Sequence, residues 1–245
     1  MKKIIQLSMA TALLVASNSY AQDDLGMITV YSATKSEQSI KDVTSDVQVI
    51  TNAELQEKHY LNVTQALNSI SGIDIASNGG LGQSSYVRIN GMHYTTTLVL
   101  IDGIRYNDIT NGSAFLENIL ISDIKQIEVI KGAQSGIWGA DASGGVINII
   151  TKDSKKGLHG SINTEYGSFN TKKYAATASY KTDKYYLKIS GKKVTSNGFS
   201  AQVPNGDDID DYEDDSYENR TGSLKTGINI DDNNKIDIIH TNINT

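Results

Sequence analysis

KGAQSGIWGADASGGVINIITK, residues 131–152, is the stretch that decides the fold of this chain. Its Gly144-Gly145 pair leads into a mostly β-branched run from Val146 to Ile150. Glycine has no Cβ and therefore allows close backbone approaches, while such a run is typical of a buried strand. The stretch predicts a turn and a compact group of small residues that lead into a strand packed closely against its neighbours.

The chain begins with the pattern of a secretory signal peptide. Residues 1–3 are Met-Lys-Lys, and residues 4–16 are mostly apolar but too short to span a bilayer as a helix. Ser19-Tyr20-Ala21 has the form of a cleavage site. We predict that residues 1–21 are removed on export; a retained membrane anchor is the alternative.

Composition narrows the function classes. The 245 residues suit one or two domains, and the absence of cysteine excludes disulfides, thiolate metal sites and cysteine nucleophiles. With 22 basic and 28 acidic residues, the chain is acidic, which disfavours nucleic acid and anionic lipid as partners. No later window offers the ~18 apolar residues of a transmembrane helix, so a membrane role would require β-strands.

Residues 45–152 have the pattern of a small α/β domain. Two stretches, Thr51–Glu54 and Asn62–Gln65, have the form of capping boxes that open short helices. Short β-branched runs predict strands, one of which ends in a turn at Asp102-Gly103. The predicted strands are Val47–Ile50, Ile73–Ala76, Tyr86–Ile89, Thr97–Ile101 and Gln126–Lys131, with one helical turn at Ile121–Lys125.

From Gly157 onward the apolar pattern changes to a period of two. In each of several successive runs, every second residue belongs to a mostly apolar or aromatic set, and the residues between them are mostly polar. Ile162, Thr164 and Tyr166, for example, alternate with polar neighbours. Each run is near the ~9–11 residues of a tilted transmembrane strand, and aromatic residues lie near the run ends. On this pattern alone, a soluble antiparallel sheet with one wet face is the alternative.

The segment before the domain, residues 22–44, is polar with one apolar island at Leu25–Tyr31. The island favours extended backbone but has no adjacent partner strand in the sequence. It suits an edge strand of the following domain. It also suits a segment that pairs with another protein by β-augmentation, in which backbone hydrogen bonds provide the affinity.

Several separated motifs together resemble the TonB-dependent outer-membrane receptors. ALNSISGIDI, YVRINGM, TLVLIDGIRYND, IKQIEVIKG and GVINIIT occur in the order and spacing of the plug domain of that family. The cobalamin transporter branch is the most similar, through GIDIASNGGLGQSS and the interval from Gly82 to Asp102. The resemblance implies an α+β plug domain followed by antiparallel transmembrane β-barrel strands. It places the chain in the Gram-negative outer membrane, in contact with lipid, with the plug facing the periplasm.

The resemblance also implies the domain organisation. A periplasmic segment at 22–44 would carry a Ton box at about 25–31, followed by the plug at 45–152 and barrel strands at 157–245. The family barrel has about 22 strands, and only the first few fall within this chain, so a fragment or a truncated product is expected. The small residues around Gly144 would let the last plug strand nest inside the barrel wall.

Strand parity assigns loops to the two sides of the membrane. If the first barrel strand leaves the periplasmic plug, the connections at 167–171 and 195–216 lie outside the cell. The turns at 182–184 and 231–234 then lie in the periplasm. Short periplasmic turns and a long external loop are typical of outer-membrane barrels.

Site residues follow from the resemblance at the positions that match family motifs. Contacts with TonB are predicted at Met27, Ile28, Thr29, Val30 and Tyr31. Contacts with cobalamin are predicted at Ser84, Tyr86, His93, Asn111 and Gly112. Because Ser84, Tyr86 and His93 differ from the residues expected in a cobalamin receptor, the ligand stays open between a corrinoid and a ferric siderophore or haem. His93 alone is more typical of an exposed loop histidine than of a ligand contact, and no other histidine has a metal-ligand spacing to it.

The predicted external loop is rich in carboxylates between Asp207 and Glu218. Such a run is typical of a solvated segment, and it lacks the glycine and glutamate spacing of an EF-hand. Dense oxygen ligands can also bind calcium, and EDDSYENRT aligns with an acidic motif that cobalamin receptors order with calcium. The resemblance therefore implies Asp211, Glu213 and Asp215 as calcium ligands.

The predicted function is a receptor for active uptake of a scarce, bulky nutrient, energised by TonB and its inner-membrane complex. A passive porin or an adhesin is the alternative from a different class. No enzyme is predicted, because Gly80-Leu81-Gly82 lacks the third glycine of a dinucleotide fingerprint. A Walker motif and the G-x-S-x-G nucleophile motif are also missing from the sequence.

Overall fold

The computed structural model describes residues 28–60, 62–77, 79, 85–199, 215–231 and 234–245. Several predicted features lie outside these residues, namely the signal peptide, Met27, Ser84, Asp211 and Glu213. Within the described ranges, no helix is long and apolar enough to cross a membrane. The chain forms an α/β body at residues 29–151 and a long antiparallel sheet at residues 157–244.

The α/β body is built on a mixed sheet with short helices. Its elements are β1 (Thr29–Val30), β2 (Gln38–Ser39), β3 (Asp46–Thr51), α1 (Asn52–Glu57), α2 (Val63–Asn68), β4 (Ile73–Ser77), β5 (Ser85–Ile89), β6 (Thr97–Ile101), β7 (Ile104–Arg105), β8 (Ile124–Lys131), α3 (Ser135–Trp138) and β9 (Gly145–Thr151). The main sheet has the order β3-β8-β9-β6-β7, in which only β6 and β9 are parallel. The pairs β1-β2 and β4-β5 lie outside it.

The core of the α/β body lies between the main sheet and the two longer helices. Leu55 and Leu67 point from α1 and α2 into one hydrophobic cluster with Ile127 and Ile149 of the central strands. All four side chains are buried, and each contributes about 1.5–3 kcal/mol through burial. The β-branched run at the end of the opening stretch is therefore the central strand of the body, as predicted.

Both predicted helix starts are present. Thr51 Oγ1 accepts a hydrogen bond from the Glu54 backbone N–H at 3.3 Å, and Asn62 Oδ1 accepts one from the Gln65 N–H at 2.9 Å. Such caps satisfy backbone donors that the first helical turn leaves free, each for about 1 kcal/mol. The Glu54 side chain does not complete a capping box, because it pairs with Lys58 at 2.6 Å.

The glycine pair fits β9 tightly into the α/β body. A Cβ built on Gly145 would lie 2.5 Å from the Ile130 carbonyl oxygen, and one on Gly144 would lie 2.7 Å from Thr96 Oγ1. Neither approach leaves room for a side chain. Both neighbours belong to the α/β body, so these glycines serve close packing within the body, and their role in nesting the strand inside a barrel wall stays a prediction.

The long sheet has five antiparallel strands in sequential order. They are β10 (Gly157–Gly167), β11 (Thr171–Lys181), β12 (Tyr185–Ser196), β13 (Tyr217–Asn229) and β14 (Lys235–Asn244). Lengths of 10 to 13 residues are sufficient for a tilted crossing of a bilayer. The period-two pattern seen in the sequence therefore does form strands, each paired with the next.

The two faces of the long sheet differ in chemistry because side chains alternate along each strand. The outer face exposes large apolar and aromatic side chains, among them Leu158, Ile162, Tyr166, Tyr174, Tyr180, Ile189, Leu224 and Ile238. The inner face is polar and packs on the α/β body, where Lys188, Lys192 and Asn219 are buried. An apolar outer band with aromatic residues near its edges is typical of a lipid-facing surface.

Candidate functional site

Three segments of the α/β body carry the predicted ligand residues that the structure describes. Strand β5 carries Tyr86, the loop after it carries His93, and a further loop, which we call the third loop, carries Asn111 and Gly112. The ring centroids of Tyr86 and Tyr94 are 4.6 Å apart, and those of His93 and Tyr94 are 4.3 Å apart. The three rings form what we term the aromatic platform. On the third loop, a Cβ at Gly112 would lie 3.2 Å from Thr95 Cγ2. The structure thus brings Tyr86, His93 and Gly112 together.

His93 has a structural partner as well as an exposed position. Its Nδ1 lies 2.9 Å from Thr95 Oγ1, and its carbonyl oxygen accepts a hydrogen bond from Thr96 Oγ1 at 2.6 Å. These contacts hold the loop tip in one conformation. The ring remains exposed beside Tyr94, so it is available to a ligand at the platform.

The third loop is held by its own side chains. The Asp108 carboxylate accepts hydrogen bonds from the backbone N–H groups of Thr110 and Asn111, which lower the pKa of Asp108. Asn111 Oδ1 accepts from the Ser113 N–H and hydroxyl at 2.9 and 2.6 Å. The Asn111 oxygen is therefore used locally, while buried Asn107 joins the loop to β6 by donating to the Gly112 and Thr97 carbonyls.

The platform is an open surface. The cleft among Tyr86, Tyr94 and Gly112 has a volume of about 10 Å³, which is too small for any ligand larger than water. Beside it, two apolar side chains face solvent, Met92 at 41% and Ile109 at 93% exposure. The half-buried tyrosine rings, the exposed His93 ring and these apolar side chains therefore offer a contact surface for a ligand and not an enclosed pocket.

Two residues of this surface are missing from the sequence-based site. Tyr94 joins Tyr86 to His93, and Ile109 is the most exposed large apolar side chain of the third loop. Both gave a signal in the sequence. Tyr94 adjoins His93 in the same polar tip, and Ile109 is an apolar residue in an otherwise polar turn.

The predicted TonB-contacting segment is docked on the α/β body. β1 pairs with β2, Val30 is 1% exposed, and Gln126 Nε2 donates to the Thr29 carbonyl at 2.9 Å. Ile28 and Thr29 are exposed. The described part of the segment is therefore a short edge strand that is docked on the body.

A buried carboxylate and an indole fasten the residues that follow. Glu128, fully buried in β8, accepts from the Tyr31 N–H at 3.1 Å, the Ser32 N–H at 2.8 Å and the Ser32 hydroxyl. Trp138 Nε1 donates to the Ser32 carbonyl at 2.7 Å, and the Lys35 ammonium lies 4.6 Å from the Trp138 ring centroid. Trp138 belongs to the stretch at residues 131–152, so that stretch also contacts the segment at residues 31–35, which we call the N-terminal segment.

Two lysines attach the long sheet to the α/β body. Lys188 pairs with Asp123 and donates to the Lys152 carbonyl at 2.9 Å. Lys225 binds Asp102 at 2.7 Å. Lys188 and Lys225 lie directly opposite each other in the β12–β13 register, where like charges repel. The two aspartates of the body therefore supply the opposite charges that this part of the sheet requires.

We expect the Lys188→Met variant to unfold a few degrees below the parent protein, with a larger difference at neutral pH than near pH ~4. Burial raises the pKa of Asp123 above its ordinary value, and Lys188 opposes this rise. Removing Lys188 raises that pKa further, so the folded variant loses stability as the pH rises through it. At pH values below that pKa, Asp123 of the variant is neutral, so the variant lacks only the hydrogen bond from Lys188 to the Lys152 carbonyl. Thermal unfolding in detergent at the two pH values measures this, and equal losses would contradict it.

The candidate calcium ligands are only partly within the described residues. Asp215 is exposed just ahead of β13, whereas Asp211 and Glu213 lie outside them. Nearby Glu218 pairs with Arg220 at 2.6 Å and Lys193 at 3.3 Å. In the ranges that the structure describes, no three histidine, aspartate or glutamate side chains are grouped to hold a metal ion.

Comparison with known proteins begins from the α/β body. Residues 39–146 match the family model of the TonB-dependent Receptor Plug Domain. The vitamin B12 transporter BtuB of Vibrio vulnificus strain YJ016 is 36% identical over 171 residues, covering 68% of this chain and 27% of the transporter. BtuB of strain CMCP6 is 30% identical over 209 residues, which cover 83% of this chain and 34% of that transporter. The chain thus spans about a third or less of the length of these curated relatives.

Solved structures are similar over both parts of the chain. The siderophore receptor PirA of Acinetobacter baumannii has a TM-score of 0.59 at 22% identity, covering 80% of this chain and 31% of that receptor. The ferric enterobactin receptor PfeA in complex with BCV-L6 has a TM-score of 0.60 at 18% identity, covering 76% of this chain and 31% of that receptor. The ferric yersiniabactin uptake receptor FyuA of Yersinia pestis has a TM-score of 0.58 at 17% identity, covering 77% of this chain and 29% of that receptor. At these identities the similarity shows the fold.

Proposed function

Because residues 39–146 belong to the TonB-dependent receptor plug family, we propose that this chain acts in the energised uptake of a scarce nutrient across the outer membrane. The α/β body is the plug, and the predicted fold class of a plug followed by antiparallel barrel strands is confirmed. The family is one of receptors and transporters, not enzymes. Its members reside in the outer membrane with the plug facing the periplasm, and so does this chain.

The observation that carries the proposal is the docking of the plug on the polar face of a sheet whose other face is apolar. The partly buried lysine–aspartate contacts join the two parts, and the exposed apolar residues of the outer face suit lipid. A passive porin or an adhesin would not need a plug fastened inside the wall. The docked plug therefore favours gated transport.

The nutrient that we propose is cobalamin or a related corrinoid. The similarity to two vitamin B12 transporters supports this choice, and a broad, open aromatic platform suits a bulky ligand. A ferric siderophore is the second candidate, because siderophore receptors share the fold. Haem belongs to the same alternative, as another bulky iron-bearing ligand.

The proposed mechanism begins at the platform and ends at the N-terminal segment. A ligand held by Tyr86, His93 and Tyr94 would be covered by the external loops. TonB would pair with residues 27–31 by β-augmentation and draw force from the inner-membrane complex. Pulling there would first break the contacts of the segment with Glu128 and then displace part of the plug from the wall.

Calcium is part of the proposal through Asp211, Glu213 and Asp215. Carboxylate oxygens are ligands that calcium prefers, and their repulsion in a short acidic run would fall when a cation binds. The ion would order the external loop over the platform. Glu218 is an unsuitable ligand because two basic side chains already bind it.

Ligand binding tests the proposal directly. We expect the purified receptor to bind cobalamin more tightly than a ferric siderophore, and chelation of calcium to weaken cobalamin binding about tenfold. Isothermal titration with each ligand, with and without chelator, measures both effects. Cobalamin binding that is unchanged by chelation would reject the calcium role. A receptor that binds the siderophore and not cobalamin would reject the corrinoid.

The Tyr94→Ala variant should weaken binding of the preferred ligand about tenfold, because it removes the ring that joins the platform. Tyr174→Ala is a matched control, since Tyr174 lies on the outer face of the long sheet. Binding to intact cells compares the two variants. Equal affinities would show that the platform does not contact the ligand.

A further inference from the structure

A cavity of about 310 Å³ separates the plug from the inner face of the long sheet. Its plug side includes Tyr106 and Asn118, and its other side is formed by the inward side chains of β12, β13 and β14. The volume lies at the lower end of small-molecule sites, which span about 300–1,000 Å³. The cavity is separate from the platform and shares none of its residues.

The cavity runs along the strands. One row of its lining contains the opposed pair Lys188 and Lys225, and another contains the opposed pair Lys192 and Thr221. These rows are four residues apart, which corresponds to about 13 Å along a strand. A space of this length parallel to membrane-spanning strands has the direction of transport.

Lys192 differs from the other two lysines of this lining. Its side chain is 7% exposed, and its ammonium donates to the carbonyl oxygens of Asn118 at 3.0 Å and Glu117 at 3.4 Å. Lys188 and Lys225 each pair with an aspartate. The Glu117 carboxylate attracts Lys192 from a longer distance, but within the described residues it forms no ion pair with Lys192 at 4.0 Å or less. Burial of a charge is costly without an opposite charge, and an ammonium has three donors. The cavity wall thus holds a buried cation that an anion would stabilise.

We propose that the cavity is an internal transit site, where Lys192 binds an oxyanion group of the transported nutrient, such as a phosphate ester or a carboxylate. The inference rests on the proposed function. When the plug moves, Lys188 and Lys225 lose their aspartates and add two positive charges to the same passage. A passage lined by charges of one sign concentrates solutes of the other sign. The nutrient's anionic group would then move along the three lysines towards the periplasm.

Inorganic phosphate is the probe for the site. Phosphate is titrated into the purified receptor in detergent, and ³¹P line broadening reports binding. Lys192→Met should weaken phosphate binding about tenfold, as for the loss of one charged hydrogen bond. Lys193→Met is the matched control, because Lys193 is the next residue on the opposite face and pairs with Glu218. Lys192→Arg should retain binding, and Lys192→Gln repeats the test if the Met variant does not fold.

Uptake then distinguishes the nutrient from free phosphate as the source of the oxyanion. Lys192→Met should slow uptake about tenfold while cell-surface binding of the nutrient is unchanged. Loss of phosphate binding with unchanged uptake would overturn the transit role. Equal phosphate binding by Lys192→Met and Lys193→Met would overturn the site itself. If the parent receptor takes up no nutrient, the proposed function fails, and the phosphate titration still reports on the cavity.

Discussion

Deletion of residues 27–31 is expected to reduce nutrient uptake to the background rate while binding at the cell surface is unchanged. The deleted backbone is the strand that would pair with TonB, and backbone hydrogen bonds supply most of the affinity in such pairing. The platform lies elsewhere on the plug and keeps its contacts. Uptake and surface binding of labelled nutrient, measured on the same cells, separate the two effects.

The control for this deletion trims side chains and keeps the backbone. Ile28→Ala shortens a side chain that is 40% exposed and leaves the β1–β2 pairing intact. It should retain most of the uptake, since the proposed contact is made by the main chain. Uptake that survives deletion of the whole segment would instead indicate a passive channel.

Glu128→Ala should release the N-terminal segment from the plug. The variant removes the acceptor of the Tyr31 and Ser32 backbone N–H groups. Hydrogen bonds to charged groups contribute about 1.5–3 kcal/mol each, so the two amides should exchange with solvent about a hundredfold faster. Hydrogen exchange with mass spectrometry measures this in peptides that contain the two residues.

Two further variants make the Glu128 result specific. Glu128→Gln keeps a carbonyl acceptor of nearly the same size and should give an intermediate exchange rate. Glu54→Ala removes a glutamate of α1 that pairs with Lys58 and should leave these amides unchanged. We also expect Glu128→Ala to bind TonB more tightly, because the strand no longer has to be released. Unchanged exchange at Tyr31 and Ser32 would rule out Glu128 as the fastening group.

Local patterns in the sequence were sufficient for the longer elements of this fold, whereas the short elements β2, β7 and α3 were not predicted. The caps at Thr51 and Asn62 act within three residues, and the strand after Gly145 needs only its own β-branched run. The alternation in the long sheet likewise depends on neighbours two residues apart. These features were predicted because each depends on residues close together in the chain.

Contacts between distant residues account for what the sequence did not predict. Glu128 meets Tyr31 across 97 positions, and Lys225 meets Asp102 across 123. No periodicity marks such a pair. Docking of residues 25–31 as an edge strand was one of two sequence-based alternatives, but the contacts with Glu128 and the lysine–aspartate contacts were not predicted. The platform was partly predicted, because family motifs gave Tyr86 and His93, while Tyr94 emerged only from the ring contacts.

The opposed lysines of β12 and β13 also bear on how the receptor is assembled. Strands that place Lys188 against Lys225 pair poorly on their own, since like charges directly opposite each other are destabilising. The aspartates that relieve this repulsion become available only once the plug has its sheet, because Asp102 and Asp123 flank β6 and β8. The plug therefore offsets a charge repulsion that lies within the sheet, and through these two ion pairs the plug and the sheet stabilise each other.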